Sequence, residues 1–336
     1  MAVLAKYAQD LRDQWLAPSS RTATNSTVRQ WLVFCREANL TWDPKVGVTD
    51  QALHLYISYL YLTGRSYRTI KNYLSMGVRV LCLENGIPWV PIHERPSCYQ
   101  TLRGIRRILG DSQTQKLGIT LAMLRSMRPY LDLSRPLGAT VWAAFLTAFF
   151  GLFRKGNITA RTEKTFNPAK DIRRCDLIKK GSELAIIVRH SKTIQFGQRQ
   201  IEVKLPCFRR MTDLCPTRAL LSMLALLPAG PQSPLFQVPG PSGHNLPLTH
   251  QQFVSTLKGL LKRAGIDERQ YSGHSFRRGG ASWLHEIGVS ETLIKIQGDW
   301  ASDAYLLYVS LGESAKSQAL RLMETAADAG ELGDGS

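Results

Sequence analysis

The sequence predicts a mainly α-helical protein of two domains, with a small antiparallel β-sheet in the second domain. Through most of residues 1–110 and 119–326, apolar residues recur at the spacing of helices that bury one face. Residues 111–118 are polar and show no period, which is typical of a linker. Short β-branched runs between positions 175 and 205, separated by glycines, predict the sheet.

The first domain, residues 1–110, is predicted to be entirely helical. Thr49 and Ser66 are residue types that cap helix N-termini, and Gly64 is suited to end a helix. The helices are expected at residues 3–15, 24–38, 51–62, 67–84 and 97–109. Several aromatic residues lie at helical spacing, which favours a place in the core over stacking on bases: Trp31, Phe34, Tyr56, Tyr59 and Tyr73.

In the second domain, residues 119–326, helices are predicted both before and after the strands along the chain. The apolar run 139–153 is too short to cross a bilayer and indicates a buried core helix. The acidic, glycine-ending tail 327–336 is expected to be flexible. Strands are expected at 175–178, 184–190 and 200–205, and helices at 121–130, 141–150, 218–227, 250–264, 275–287, 291–298, 302–311 and 314–323.

The charge of the chain indicates a polyanionic partner. Lys and Arg number 43 against 26 Asp and Glu, which gives a net charge of +17. Residues 1–110 alone carry 14 basic and 7 acidic side chains. Nucleic acid is the commonest partner of such a chain, although other basic proteins share this composition.

Cysteine usage favours a reducing compartment and argues against a zinc module. The six cysteines form no C-x-x-C pair, so we expect them to be small core residues: Cys35, Cys82, Cys98, Cys175, Cys207 and Cys215. Residues 1–15 resemble neither a signal peptide nor a membrane span. We therefore expect an intracellular protein with no membrane partner.

The strongest local motif is GHSFRRGGAS, which begins at Gly273. His274 and Arg277 lie three residues apart at a predicted helix start, where both side chains can face one anion. An isolated H-x-x-R is more often a helix cap beside an exposed arginine. Other motifs with residue types that are common in active sites lie before and after GHSFRRGGAS in the sequence. FFGLFRKGNI contains Arg154, HSKT contains Lys192, and GDWASDAYLLYV contains Trp300, Tyr305 and Tyr308.

This ordered set resembles that of the tyrosine recombinases, the family of phage integrases and Cre-like enzymes. The strings FFGLFRKGN, SKTIQFGQR, YSGHSFRRGGAS and QGDWASDAYLLYV are similar to the eukaryotic mobile-element branch, the DIRS-like and Crypton-like recombinases. The resemblance covers residues 119–311 strongly and the first domain more loosely. It implies an N-terminal core-binding domain and a catalytic domain that form a C-shaped clamp around DNA. It also implies a nuclear location if the host is eukaryotic.

The resemblance implies strand cleavage and rejoining through a covalent 3′-phosphotyrosine link, without metal, ATP or another cofactor. Arg154 and Arg277 would then stabilise charge on the nonbridging oxygens, a task that suits guanidinium groups. His274 would act as general base and acid. Lys192 would protonate the departing 5′ oxygen, with Lys155 the next candidate. Trp300 would orient its neighbours, because an indole cannot shuttle protons.

Two departures from the family pattern concern the site. Asn157 stands where the family commonly has an acidic residue after its first arginine. Tyr305 and Tyr308 both lie near the expected place of the nucleophile. Tyr308 is favoured, because its flanks align with the family's motif, and Tyr305 is then expected to pack.

Seven basic residues of the first domain are candidates for contact with the DNA backbone. A solvated helix face is the alternative interpretation of each one. The seven residues are Arg65, Arg68, Lys71, Arg79, Arg103, Arg106 and Arg107.

The resemblance further implies binding to double-stranded DNA at inverted-repeat sites by a tetramer on two duplexes, with residues 314–323 docking into a neighbour. Two other functions stay open, a type IB topoisomerase and a domesticated, non-catalytic DNA-binding protein.

Overall fold

A computed structural model describes residues 1–43, 47–111, 115–181, 183–241, 243–300 and Thr325. The chain divides into two compact units, Met1–Thr114 and Gln115–Ser336. The mainly helical fold with small antiparallel sheets is confirmed. Several predictions lie outside the described residues: Tyr305, Tyr308, the helices expected at 302–311 and 314–323, and the tail 327–336.

The first unit is built from helices that surround an aromatic core. Trp31 and Tyr56 are fully buried, with ring centroids 4.9 Å apart in an edge-to-face arrangement. Tyr59 and Tyr73 pack against the same core, so the prediction of a packing role for the aromatics is confirmed. The helices are α1 Ala2–Asp13, α2 Pro18–Glu37, α3 Asp50–Leu62, α4 Tyr67–Asn72, α5 Arg79–Glu84 and α6 Pro96–Leu109.

Two helices of this unit differ from the sequence prediction. Helix α2 begins at Pro18, six residues before the expected start, because proline at the first helical position already has the helical φ angle. The expected helix 67–84 is continuous, but its middle turn Tyr73–Val78 is a π-helix. Its buried residues Leu74, Gly77 and Val78 have the i, i+3, i+4 spacing of an α-helix, so the apolar pattern does not distinguish the π turn.

The second unit surrounds one long buried helix. Its elements are α7 Leu121–Met127, α8 Pro136–Phe150, α9 Lys155–Ile158, β1 Leu177–Lys180, β2 Glu183–Val188, β3 Ile201–Leu205, α10 Pro216–Leu226, β4 Gln237–Pro239, β5 Asn245–Pro247, α11 His250–Arg263, α12 Ser275–Glu286 and α13 Glu291–Gly298. Every residue of α8 from Gly138 onward is buried, which confirms the predicted core helix. Phe145 contacts Phe253 of α11 and Phe276 of α12. Within the described ranges, no helix is both long and apolar enough to cross a membrane.

The three-stranded sheet is antiparallel in the order β1-β2-β3, with Ile186 of β2 paired to both Leu177 and Val203. Strand β1 begins two residues later than predicted. Asp176 lies in a 3₁₀ turn instead, where its buried carboxylate accepts hydrogen bonds from Arg173 and Arg189. The hairpin of β4 and β5 was not predicted, because its strands have three residues each and both end in proline.

The cysteine prediction is correct for four residues and wrong for two. Cys35, Cys82, Cys98 and Cys215 are buried, whereas Cys175 and Cys207 are exposed. Cys175 lies in the 3₁₀ turn before β1, and Cys207 follows the last residues of β3. Both exposed thiols therefore belong to connections, which lie at protein surfaces.

Two consecutive glycines allow α12 to pack directly on neighbouring backbone. A Cβ atom on Gly280 would lie 2.1 Å from the carbonyl oxygen of Phe149, and one on Gly279 would lie 1.7 Å from that of Ile119. No side chain fits at such distances. The pair therefore brings the start of α12, with His274 and Arg277, against the end of α8.

We expect Gly280→Ala to destabilise the protein by about 1–3 kcal/mol, the usual cost of overpacking, because the obstructing atom belongs to backbone. Gly259→Ala in α11 is the matched control, since nothing lies within 4 Å of its added methyl group. That control should be neutral or stabilise by up to about 1 kcal/mol. Urea unfolding measures both variants, and equal stability of the two would contradict the packing assigned to α12.

Candidate active site

Arg277 forms the buried centre of the site. Its residue is 2% exposed, on the first turn of α12. Its Nη1 donates to the carbonyl oxygen of Leu152, and its Nη2 donates to that of Gly298 at 2.5 Å. The guanidinium carbon lies 3.7 Å from the ring centroid of Trp300, a cation–π contact. Backbone and an aromatic face thus fix the position of this charge.

The two carbonyl groups that accept from Arg277 lie at a helix end or just beyond one. Leu152 follows α8 in the left-handed conformation, with φ of 51°, which reverses the chain there. Gly298 is the last residue of α13. Terminal carbonyls of helices have no partner within the helix, and a guanidinium can supply one. Trp300 packs its ring on Arg277, and the orienting role assigned to it stays a prediction.

Arg154 lies beside Arg277 and immediately precedes α9. Both line a narrow cleft together with Asn157 and Asp299. Within the described part of the chain, the Arg154 side chain has no hydrogen bond or ion pair. Asn157 offers an amide where the family that the motifs resemble commonly has a carboxylate, so it leaves the positive charge of Arg154 undiminished.

His274 is the N-cap residue of α12, and burial and four positive charges act on its imidazole. Its pKa is lowered below the ordinary value, first because protein atoms displace water from the ring. The positive charges of Arg154, Arg277, Lys155 and Lys192 lower it further. The residue nevertheless keeps an exposed surface. A neutral imidazole that solvent or a ligand can reach is suited to accept a proton.

Lys192 is exposed on the connection between β2 and β3, as the sequence predicted for a hairpin lysine. Ser191 and Ile194 exchange two backbone hydrogen bonds of 3.0 and 3.1 Å, which closes a tight turn around it. The amide of Gln195 donates to the Lys192 carbonyl oxygen at 2.8 Å. The turn that carries the lysine therefore has a defined backbone shape.

Lys155 completes the group of cations. Its side chain crosses Gly273 so closely that a Cβ atom there would lie 2.6 Å from Lys155 Cδ. It lowers the pKa of His274 and also that of His250, for which burial is the larger cause. The motif resemblance favours Lys192 over Lys155 as the general acid. The signal for it was the basic residue that follows Arg154 in FRKGN, but its contact with Gly273 depends on the fold.

Asp299 is the residue that sequence analysis missed. Its carboxylate accepts hydrogen bonds from the hydroxyl of Thr193 and the guanidinium of Arg199, both on the connection that contains Lys192. The only sequence signal was an acidic residue next to Trp300 in an otherwise cationic site. The cluster as a whole is suited to bind an anion. Among the residues that the structure describes, no group of His, Cys, Asp and Glu is placed to hold a metal ion.

The seven basic candidates of the first unit are all exposed. Lys71 and Arg106, from different predicted clusters, both lie over the ring of Tyr67, at 5.7 and 5.6 Å from its centroid. The fold thus joins the two clusters into one basic surface. Lys71, Arg79 and Arg103 also line a cleft of about 630 Å³.

Comparisons with known proteins agree with this fold. No family model matches the chain. An integrase/recombinase xerD homolog from Selenomonas ruminantium is 26% identical over 228 residues, which cover 66% of this chain and 62% of that relative. The chain thus spans less than two thirds of that relative's length.

Two solved structures are similar in fold at low sequence identity. The integrase of the Tn1549 transposon, in complex with circular intermediate DNA, gives a TM-score of 0.59 at 14% identity over 94% of this chain and 97% of that one. A lambda integrase dimer bound to a core site gives 0.57 at 14% identity, over 91% and 94% of the two chains.

The electrostatic arrangement predicts the titration of His274. NMR should show its imidazole pKa below the ordinary value of about 6.5. Arg154→Ala and Lys192→Ala should each raise it, because each removes a positive charge that opposes protonation. Lys258→Ala, on the exposed face of α11, is the control and should leave it unchanged. A His274 pKa that does not respond to either substitution in the site would show that the cations do not converge on it.

Proposed function

We propose that this chain is a member of the tyrosine recombinase and integrase family, which its relatives support, and that it cleaves and rejoins DNA strands through a covalent 3′-phosphotyrosine intermediate. The observation that carries the proposal is the cationic cluster at His274: Arg154 and Arg277 line one cleft, and Lys155 crosses Gly273. Burial and these positive charges lower the pKa of the imidazole. Such a group binds a phosphate and leaves a neutral base beside it.

The reaction moves one phosphoryl group between two oxygens. The phenol oxygen of Tyr308 attacks the scissile phosphorus while its proton passes to His274. The bond from phosphorus to the 5′ oxygen breaks, and Lys192 supplies a proton to that oxygen. The products are a phosphotyrosine ester on the 3′ side and a free 5′ hydroxyl. The ester conserves the energy of the original bond, so the reverse transfer needs no ATP.

Charge accumulates on the nonbridging oxygens during this transfer. Arg277 is fixed by backbone carbonyls, so it is already in place before DNA binds. Arg154 adds a second guanidinium beside it. Trp300 supports Arg277 through its ring face and has no part in proton transfer.

The basic surface of the first unit is proposed to hold the DNA backbone. Tyrosine rings lie beneath four of its cations, which limits the freedom of long side chains before DNA binds. Contacts of this kind release counterions, so affinity should fall steeply with salt. A domain clamp around the duplex follows from the family resemblance.

Partners and setting are proposed from the relatives. One similar structure is a transposon integrase in complex with circular intermediate DNA, which supports a mobile-element origin for this chain. Assembly of a tetramer on two duplexes with inverted-repeat sites, through residues 314–323, remains a prediction outside the described residues. The eukaryotic subtype and nuclear location also remain predictions, and the relative from Selenomonas ruminantium gives them no support.

We expect Tyr308→Phe to abolish covalent protein–DNA complexes while folding and DNA binding persist, because only the nucleophilic hydroxyl is lost. A nicked suicide substrate, which traps the covalent intermediate, measures this directly. Tyr305→Phe is the matched control and should still form the complex. The reverse result would move the nucleophile to Tyr305.

The same substrate, together with a strand-exchange assay on paired sites, separates the rival functions. If the protein only binds DNA, the wild-type chain will form no covalent complex with this substrate. A type IB topoisomerase would form one and relax supercoils, but would exchange no strands between paired sites.

Cleavage should proceed at nearly the wild-type rate in excess EDTA, because arginine and lysine side chains supply the positive charge that the transition state requires. The measurement is the rate of covalent-complex formation with and without chelator. A strict requirement for Mg²⁺ or Mn²⁺ in this step would contradict the proposed chemistry.

A further inference from the structure

We propose that Asp299 is a positioning residue, which fastens the Lys192 turn to the arginine site so that the lysine reaches the departing 5′ oxygen. The proposal rests on the proposed function, because it assigns Lys192 the part of general acid. It adds a residue whose task is to hold that acid in place.

Asp299 joins the end of α13 to the β2–β3 connection. The residue follows α13 in the left-handed conformation, with φ of 52°. Its carboxylate is mostly buried, with the side chain 14% exposed. It accepts hydrogen bonds from the Thr193 hydroxyl and from Arg199. The left-handed conformation thus directs the carboxylate to the β2–β3 connection.

The neighbours of Asp299 tie it to Arg277. The carbonyl oxygen of Gly298 accepts from Arg277, and the ring of Trp300 stacks on the same guanidinium. Three consecutive residues therefore contact Arg277 on one side and the hairpin on the other. A shift of the hairpin relative to Arg277 has to break at least one of these contacts.

The fixed position of Thr193 extends to Lys192 through hydrogen bonds within the turn. The hydroxyls of Ser191 and Thr193 lie 2.9 Å apart, and the Thr193 backbone N–H donates to the Ser191 hydroxyl at 3.1 Å. Gln198 donates to the Thr193 carbonyl oxygen at 3.1 Å. Lys192 lies between two residues held in this way, so its main chain has little freedom.

A second explanation is that Asp299 only ends α13. Aspartate and asparagine both adopt the left-handed conformation more readily than most residues. Asn at position 299 would therefore keep the helix end and remove the negative charge that holds Arg199. A carboxylate also repels the DNA phosphates that this site attracts. Ending a helix does not require this negative charge, whereas holding Arg199 and Thr193 does.

The test compares two substrates, one with an ordinary scissile phosphate and one with sulfur as the bridging 5′ atom. Sulfur departs without protonation, so a defect in general acid catalysis disappears on it. We expect Asp299→Asn to slow cleavage of ordinary DNA by about 10-fold to 100-fold, as for a misplaced catalytic group. Like Lys192→Ala, it should recover most of its rate on the sulfur substrate. Arg154→Ala should stay impaired on both.

Two further arms keep the result decisive. Lys192→Ala combined with Asp299→Asn should cleave ordinary DNA no more slowly than Lys192→Ala alone, because Asp299 acts through the lysine. Hydrogen exchange of residues 189–200 should rise in Asp299→Asn without any substrate. Asp213→Asn removes a surface ion pair with Arg125 and is the control, with unchanged cleavage and exchange.

The outcomes distinguish a failure of the positioning role of Asp299 from a failure of the proposed function. Equal defects on both substrates, or no defect, would overturn the positioning role of Asp299. Unchanged exchange in residues 189–200 would show that Asp299 does not fasten the hairpin. If wild-type protein forms no covalent complex on either substrate, the proposed function fails, and the exchange experiment still reports on the fastening.

Discussion

The burial of the Arg277 guanidinium is the constraint on which the rest of the site depends. Transfer of a charged group from water to a protein interior is costly unless its hydrogen-bond donors find acceptors. The carbonyl oxygens of Leu152 and Gly298 and the ring of Trp300 provide these contacts. Carbonyl groups are neutral, so they hold the arginine without cancelling its charge. The site thus keeps a fixed cation ready for an anion.

This arrangement explains several features that otherwise look unrelated. The close packing of Gly280 on Phe149 brings α12 to the end of α8, where the left-handed Leu152 turns its carbonyl group to Arg277. The same end of α8 leads into Arg154. Helix α13 supplies Gly298, and the two residues after it supply the hairpin contact and the stacked ring. The packing of the core and the ends of its helices therefore fix the positions of the charged groups in the site.

Sequence analysis predicted the mainly helical fold, the buried helix and the ordered set of cations, because periodicity and short motifs are local properties. The structure places Arg154, Lys192, His274 and Arg277 in one group, while Tyr308 stays a prediction. The contact of Thr193 with Asp299 spans 106 residues, and no local pattern signals it. The contact between Lys155 and Gly273 could not be predicted from the sequence for the same reason, since only tertiary packing brings the two residues together.

The most direct test of the account uses a methylphosphonate at the scissile position, which replaces one charged nonbridging oxygen by a neutral methyl group. Arg154→Ala is the variant of choice, because its half-buried side chain holds no described partner and folding should persist. The account predicts a large loss of cleavage on ordinary DNA and a much smaller loss, relative to wild type, on the methylphosphonate. Equal losses on the two substrates would contradict the claim that these cations neutralise charge on the phosphate.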